Sequence, residues 1–182
     1  MTEINMNEEF VINSDSYIRS VSIILYDERL GFLLCNEYRK DLLGDKHLQS
    51  HVVGGKVEID DISPIHTGFR EFCEELNFQY HSSNIKKNIQ TLIDKTLHCK
   101  RVRYDFLVSP KKRLYNRFYI INIGHITDVD FKNYLFRFLE LPLTEDCAVQ
   151  SVYFWKKGEK LIDSSSLLIN FLKILPSSSK LA

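Results

Sequence analysis

Gly54-Gly-Lys-Val-Glu-Ile-Asp-Asp-Ile-Ser-Pro-Ile-His-Thr-Gly-Phe-Arg-Glu-Phe-Cys-Glu-Glu-Leu-Asn-Phe78 divides into a loop and a helix of different chemistry. The second half reads as one amphipathic helix, with Ser63 as N-cap and Pro64 in the first helical position, where a missing N–H costs nothing. Ile65, Phe69, Phe72 and Leu76 recur at spacings of four, three and four, so they share the face that packs into a core. Glu71, Glu74 and Glu75 project as neighbours on adjacent turns, with Arg70 beside them. Like charges at such spacings cost an isolated helix roughly 0.2–0.5 kcal/mol per pair. Crowded carboxylates are what Mg²⁺ or Mn²⁺ needs, and a divalent ion would turn the repulsion into binding. The double glycine lets the backbone turn tightly and bring the loop over the carboxylates. A solvated acidic face is the plainer alternative.

The stretch resembles the Nudix box: a glycine, five residues, a glutamate, seven residues, then Arg-Glu-U-x-Glu-Glu-x-Gly-U, with U bulky and apolar. Arg70 to Glu75 matches the Arg-Glu-U-x-Glu-Glu core, and Phe78 matches the last U. Asp61 stands at the first glutamate, Ile62 is one residue too many before Arg70, and Asn77 replaces the glycine after the helix. The extra Ile62 predicts a bulge at the loop-to-helix junction. Asn77 is a mild change, because Asn is the next best residue for a left-handed cap.

The remainder suits one α/β domain. The chain has 182 residues, 44% hydrophobic and 26% charged, with 24 basic and 24 acidic residues. Its zero net charge announces no polyanionic partner. No apolar run approaches the length of a membrane span, and no basic-then-apolar leader begins the chain, so a cytoplasmic protein with no membrane partner is expected. Cys35, Cys73, Cys99 and Cys147 lie far apart, which argues against a zinc site or a disulfide framework.

Residues 1–15 read as a polar arm or weak strand, 16–176 as the domain and 177–182 as a short polar tail. Tyr17–Tyr26 and Phe32–Tyr38 are β-rich, Asp41–Gln49 is a polar connection, and His51-Val52-Val53 is a short strand feeding the glycines. His47 and His51 have no partner at ligand spacing and read as surface residues. A second helix is predicted from Asn84 to about Lys95 with Ser83 as cap, then a hairpin of Arg101–Val108 and Leu114–Ile123. A short helix opened by Asp130, a strand over Val149–Trp155 and a helix over Ser164–Leu175 follow. A mixed sheet with helices on both sides agrees with the α/β/α sandwich that the Nudix resemblance implies.

The same resemblance implies metal-assisted hydrolysis of a diphosphate bridge. Glu71, Glu74 and Glu75 would hold Mg²⁺ or Mn²⁺, with help from Asp61 or the Gly55 carbonyl. Arg70 would orient Glu71, and Glu71 or Glu145 would take the proton, with Glu140 behind Glu145. Ile93 stands where a proline or tyrosine accompanies ADP-ribose or diadenosine substrates, and the coenzyme-A and NADH signatures are missing. Leu114-Tyr-Asn-Arg-Phe-Tyr-Ile120, with Gly-Gly-Lys opening the box, is similar to the poxvirus mRNA-decapping Nudix enzymes. That implies a capped-RNA substrate, with Tyr119 and Tyr38 stacking on the methylated guanine. The hairpin cations, Arg103, Lys112 and Arg117 among them, would line the path of the phosphate chain. A small-nucleotide pyrophosphohydrolase acting on NDP-sugars or dinucleoside polyphosphates, and a non-catalytic nucleotide- or RNA-binding module, stay open.

Overall fold

The computed structural model describes residues 8–76, 85–124, 126, 133, 149–175 and 178–181. Its elements are β1 (Val11–Asn13), β2 (Ser16–Asp27), β3 (Gly31–Lys40), β4 (Lys46–His51), β5 (Gly54–Lys56), α1 (Pro64–Glu75), α2 (Ile85–Thr96), β6 (Arg101–Ser109), β7 (Leu114–Asn122), β8 (Val149–Trp155), α3 (Ser166–Lys173) and α4 (Ser178–Leu181). The strands form one eight-stranded mixed sheet with the path β4-β3-β2-β7-β6; β1 and β5 pair with β2, and β8 pairs with β3. The β2–β7 pair is parallel, and the other pairs are antiparallel.

Strand β2 explains this arrangement. Its run Val21-Ser-Ile-Ile-Leu-Tyr26 is buried throughout, as expected of a strand covered on both faces. Ile23 and Leu25 join Phe69 and Phe72 of α1, Ile89 and Leu92 of α2, and Ile121 in one cluster. On the opposite face Ile24 and Tyr26 join Phe118, Ile120, Leu168 and Phe171 of α3, and Leu181 of α4. Helices therefore flank the sheet on both sides. Each fully buried aromatic or aliphatic side chain contributes roughly 1.5–3 kcal/mol.

Three segments differ from the sequence expectation. The connection expected over Asp41–Gln49 is half strand, because β4 begins at Lys46 and pairs with β3 from Cys35↔His51 to Lys40↔Lys46. The end of the polar arm is tied down: Val11–Asn13 pairs with β2, and Phe10 is fully buried against Ile18 and Val21. The polar tail also docks. Leu181 is buried, and its carbonyl accepts a hydrogen bond from Asn122 Nδ2 at 2.6 Å. Neither contact is visible in the local pattern, since each depends on a pocket built by distant residues. The helix expected after Asp130, apart from residue 133, and the caps Ser83 and Asn77 lie outside the described residues. Among the described residues, no helix is long and apolar enough to cross a membrane.

Candidate metal and substrate site

Helix α1 starts where its capping chemistry places it. Ser63 Oγ accepts from the His66 N–H at 3.3 Å, and Pro64 takes the first helical position. Ile62 is pushed outward at 64% exposure, while the adjacent Asp61 stays at 5%. Gly68 lets α1 approach β2, since a Cβ there would meet Ile23 Cδ1 at 2.7 Å.

Arg70 is the hub of the helix face. Its Nε donates to Asp61 Oδ1 at 2.9 Å, and its Nη2 to Asp61 Oδ2 at 3.1 Å and to the Lys56 carbonyl at 2.8 Å. Nη1 lies 3.0 Å from both Glu71 Oε1 and Glu74 Oε2. One guanidinium thus ties the loop, the helix and two carboxylates together. Asp61 also accepts from the Glu58 N–H and from Thr67 Oγ1, each at 2.8 Å. Burial acts to raise the Asp61 pKa, but the bonds from Arg70, Glu58 and Thr67 outweigh it and hold the carboxyl below its ordinary value. Asp61, expected to help hold the metal, is engaged here by Arg70, Glu58 and Thr67.

The other carboxylates lie under the double glycine. Glu75 Oε2 accepts the Gly54 N–H at 3.0 Å. A Cβ built on Gly55 would overlap the Glu71 carboxyl group, so glycine is what allows this approach. Burial pushes the Glu71 pKa up, with Arg70 opposing and Glu74 adding to the rise. Glu75 is raised well above the ordinary carboxylate value by burial; the Gly54 bond opposes this, and the charges of Glu71 and Glu37 reinforce it. Glu74 is 41% exposed at its side chain.

Two residues next to this row come from the β3–β4 pair. Glu37 and His51 are both buried, and with Glu75 they each offer an atom within 4.8 Å of the others. Glu37 Oε1 accepts from Arg39 Nε at 2.7 Å and from Gln49 Nε2 at 3.1 Å. His51 Nδ1 lies 2.7 Å from Ser165 Oγ and 3.4 Å from Glu37 Oε1. The expectation that His51 is a surface residue is thereby overturned. It stands at the buried end of β4, where pairing with Cys35 turns it inward. His47 is half-exposed and pairs with Asp41 at 2.9 Å. The signal in the sequence was a histidine entering the apolar His51-Val52-Val53 run and a lone acidic residue ending the Phe32–Cys35 run. Its meaning depended on strand register.

A cleft of about 630 Å³ opens beside Gly54 and Gly55. Arg19, Arg39 and Lys56 put cations on its lining, Phe106 and Leu107 of β6 give it an apolar wall, and Ser166 at the start of α3 closes another side. None of the expected substrate contacts is among the residues lining this cleft. Arg117 is buried and makes a bidentate pair with Asp105, Nε to Oδ1 at 2.7 Å and Nη2 to Oδ2 at 2.9 Å. Arg117, expected to meet a phosphate, has its Nε and Nη2 engaged by Asp105. Arg103 is exposed on β6, opposite Tyr119. Lys112 is exposed in the hairpin turn, where its neighbour Arg113 bonds Asp15 at 2.7 Å. Tyr119 packs against the α1-side core, whereas Tyr38 alternates with Phe32 and Leu34 toward the opposite face. The two rings therefore do not form one sandwich. Glu140 and Glu145 lie outside the described residues.

The donor set suits a divalent ion in its chemistry. It offers carboxylate oxygens on one helix face; burial raises both Glu71 and Glu75, with Glu74 adding to the first and Glu71 to the second. Arg70 Nη1 stands as the cation between Glu71 and Glu74. Among the described residues, the set whose ligand atoms gather closely is Glu37, His51 and Glu75 rather than the helix trio. Comparison with protein-family models and with curated proteins found no match to this chain.

Proposed function

We propose that this chain is a divalent-metal-dependent hydrolase of the Nudix type that cleaves a diphosphate bridge in a nucleoside diphosphate derivative. The observation that carries this reading is the clamp in which Asp61 and Lys56 hold Arg70 against Glu71 and Glu74, with Glu75 drawn up to Gly54 at the edge of a cation-lined cleft. The sheet with helices on both faces is compatible with the Nudix sandwich. Glu71, Glu74 and Glu75 would hold Mg²⁺ or Mn²⁺, which would supply charge neutralisation at the phosphates and a water of lowered pKa. Arg70 orients Glu71 and Glu74. Glu71 would receive the proton of the attacking water. Arg19 and Lys56 attract the phosphates, and Phe106 with Leu107 offers the base an apolar wall.

Within this class, capped mRNA in the cytoplasm fits the exposed Arg101, Arg103, Lys111 and Lys112, which would attract an RNA backbone beyond the cleft. Neutralisation of Arg113 by Asp15 and of Arg117 by Asp105 favours the second reading, a small-nucleotide pyrophosphohydrolase. Cap-labelled RNA, free cap analogue, ADP-ribose, NDP-sugars and dinucleoside polyphosphates, each with Mg²⁺ and with Mn²⁺, separate the two. Release of methylated guanosine diphosphate from long RNA supports decapping, and turnover confined to small nucleotides supports the second reading. Loss of several kcal/mol of transition-state stabilisation in Glu75→Gln predicts a fall of ~10³-fold in turnover with the melting temperature retained. Full-rate turnover by that variant at saturating Mg²⁺ removes Glu75 from the mechanism, and no turnover on any substrate leaves a binding module.

A further inference from the structure

We propose that Glu37, His51 and Glu75 form a mixed nitrogen–oxygen site for a divalent transition-metal ion, adjoining the carboxylate row of α1 and sharing Glu75 with it. The inference deepens the hydrolase reading and rests on it only for the role of Glu75. Glu37 and His51 stand on β3 and β4, outside the helix motif.

Three observations converge on this site. The three side chains come from separate elements, yet each presents an atom within 4.8 Å of the others. His51 is 4% exposed, and its Nε2 is buried with no hydrogen-bond partner. A buried polar atom left without a partner in the chain carries the full cost of its desolvation, so it calls for a partner from outside, a water or an ion. The third observation is how the ring is held. Nδ1 lies 2.7 Å from Ser165 Oγ, which can accept or donate, and 3.4 Å from the Glu37 carboxylate, which can only accept; the carboxylate favours the tautomer with the proton on Nδ1 and the lone pair on Nε2. A ligating histidine is ordinarily fixed in this way, with its other ring nitrogen donating to a neighbouring oxygen. Ser165 is itself fixed, since its Oγ also accepts the Leu168 N–H at 3.1 Å as the cap of α3.

The donors select the kind of ion. An imidazole beside two carboxylates suits Mn²⁺, Co²⁺ or Zn²⁺ better than Mg²⁺, which prefers oxygen ligands alone. Two carboxylate charges balance a divalent ion, and Arg39 on Glu37 offsets excess negative charge when the ion leaves. His51, Gly54 and Arg39 also line the cleft, so an ion held here lies at its wall.

The test is pulsed electron paramagnetic resonance of Mn²⁺ bound to the full chain, with Mn²⁺ titrations on the same samples. The expected result is nitrogen hyperfine coupling in the wild type, retained in Glu71→Gln and absent in His51→Gln. Glu37→Gln is expected to weaken the nitrogen-coupled site by roughly 10–100-fold. Absence of nitrogen coupling in the wild type, or its persistence in His51→Gln, overturns the proposal. Should His51→Gln melt far below the wild type, the wild-type spectrum and the Glu37→Gln titration decide it. Turnover without nitrogen coupling sinks this site and leaves the hydrolase reading. Nitrogen coupling without turnover on any substrate does the reverse.

Discussion

Asp61 and Gly55 do opposite work at the edge of the same loop. Asp61 holds Arg70 through both oxygens, so Asp61→Asn leaves a buried guanidinium short of its main counter-charge. Removing one partner of a buried pair costs about 3 kcal/mol, the low end here because Arg70 keeps Glu71 and Glu74. The Asp61 pKa is depressed in the fold, so its stabilisation is present above the unfolded carboxyl value and is lost as pH falls through the folded one. Denaturant melts of wild type and Asp61→Asn should therefore differ at neutral pH and converge below about pH 4. A constant difference down to pH 2 would show that the charge is not the cause. Gly55 has no positive φ, so alanine is tolerated by the backbone, but its Cβ would displace the Glu71 carboxylate. Gly55→Ala is expected to lower turnover by roughly 10²-fold, as a misplaced catalytic group does, with little change in melting temperature. Unchanged kinetics would mean that the position of Glu71 is not critical.

The β6–β7 hairpin shows why counting cations along a sequence misleads. Alternation places Asp105 directly across from Arg117, and the pair consumes the charge that the hairpin was expected to offer a phosphate. Asp105→Ala is predicted to destabilise the fold by about 3 kcal/mol, because it strands a buried guanidinium. Lys112→Ala should leave the melting curve unchanged, since surface substitutions of this kind fall within about 0.5 kcal/mol. Equal melting curves for the two variants would contradict the assignment. Helix α1 presents the other side of the comparison. Its cap, apolar stripe and acidic row were legible because every partner lies within four residues, and a helix makes those neighbours by geometry alone.

Phe10 and Leu181, near the limits of the described residues, are held by long-range contacts: Phe10 closes one cluster and Leu181 another. Leu181→Ala is expected to lower stability by about 2–3 kcal/mol, read as a fall in melting temperature, although Leu181 belongs to a segment that reads as polar tail. An unchanged melt would show that α4 does not belong to the stable fold. By itself the sequence determined the mixed α/β class, the limits of β2, β3, β6, β7 and β8 to within a few residues, and the helix bearing Arg70, Glu71, Glu74 and Glu75. These are local matters of periodicity, capping and turn chemistry. Only the tertiary structure decided that Asp61 serves Arg70, that Arg117 is spent on Asp105, that Tyr38 and Tyr119 face apart, and that His51 meets Glu37 and Glu75. Each of those follows from strand register and from which face of the sheet a side chain takes, where a shift of one residue reverses the answer.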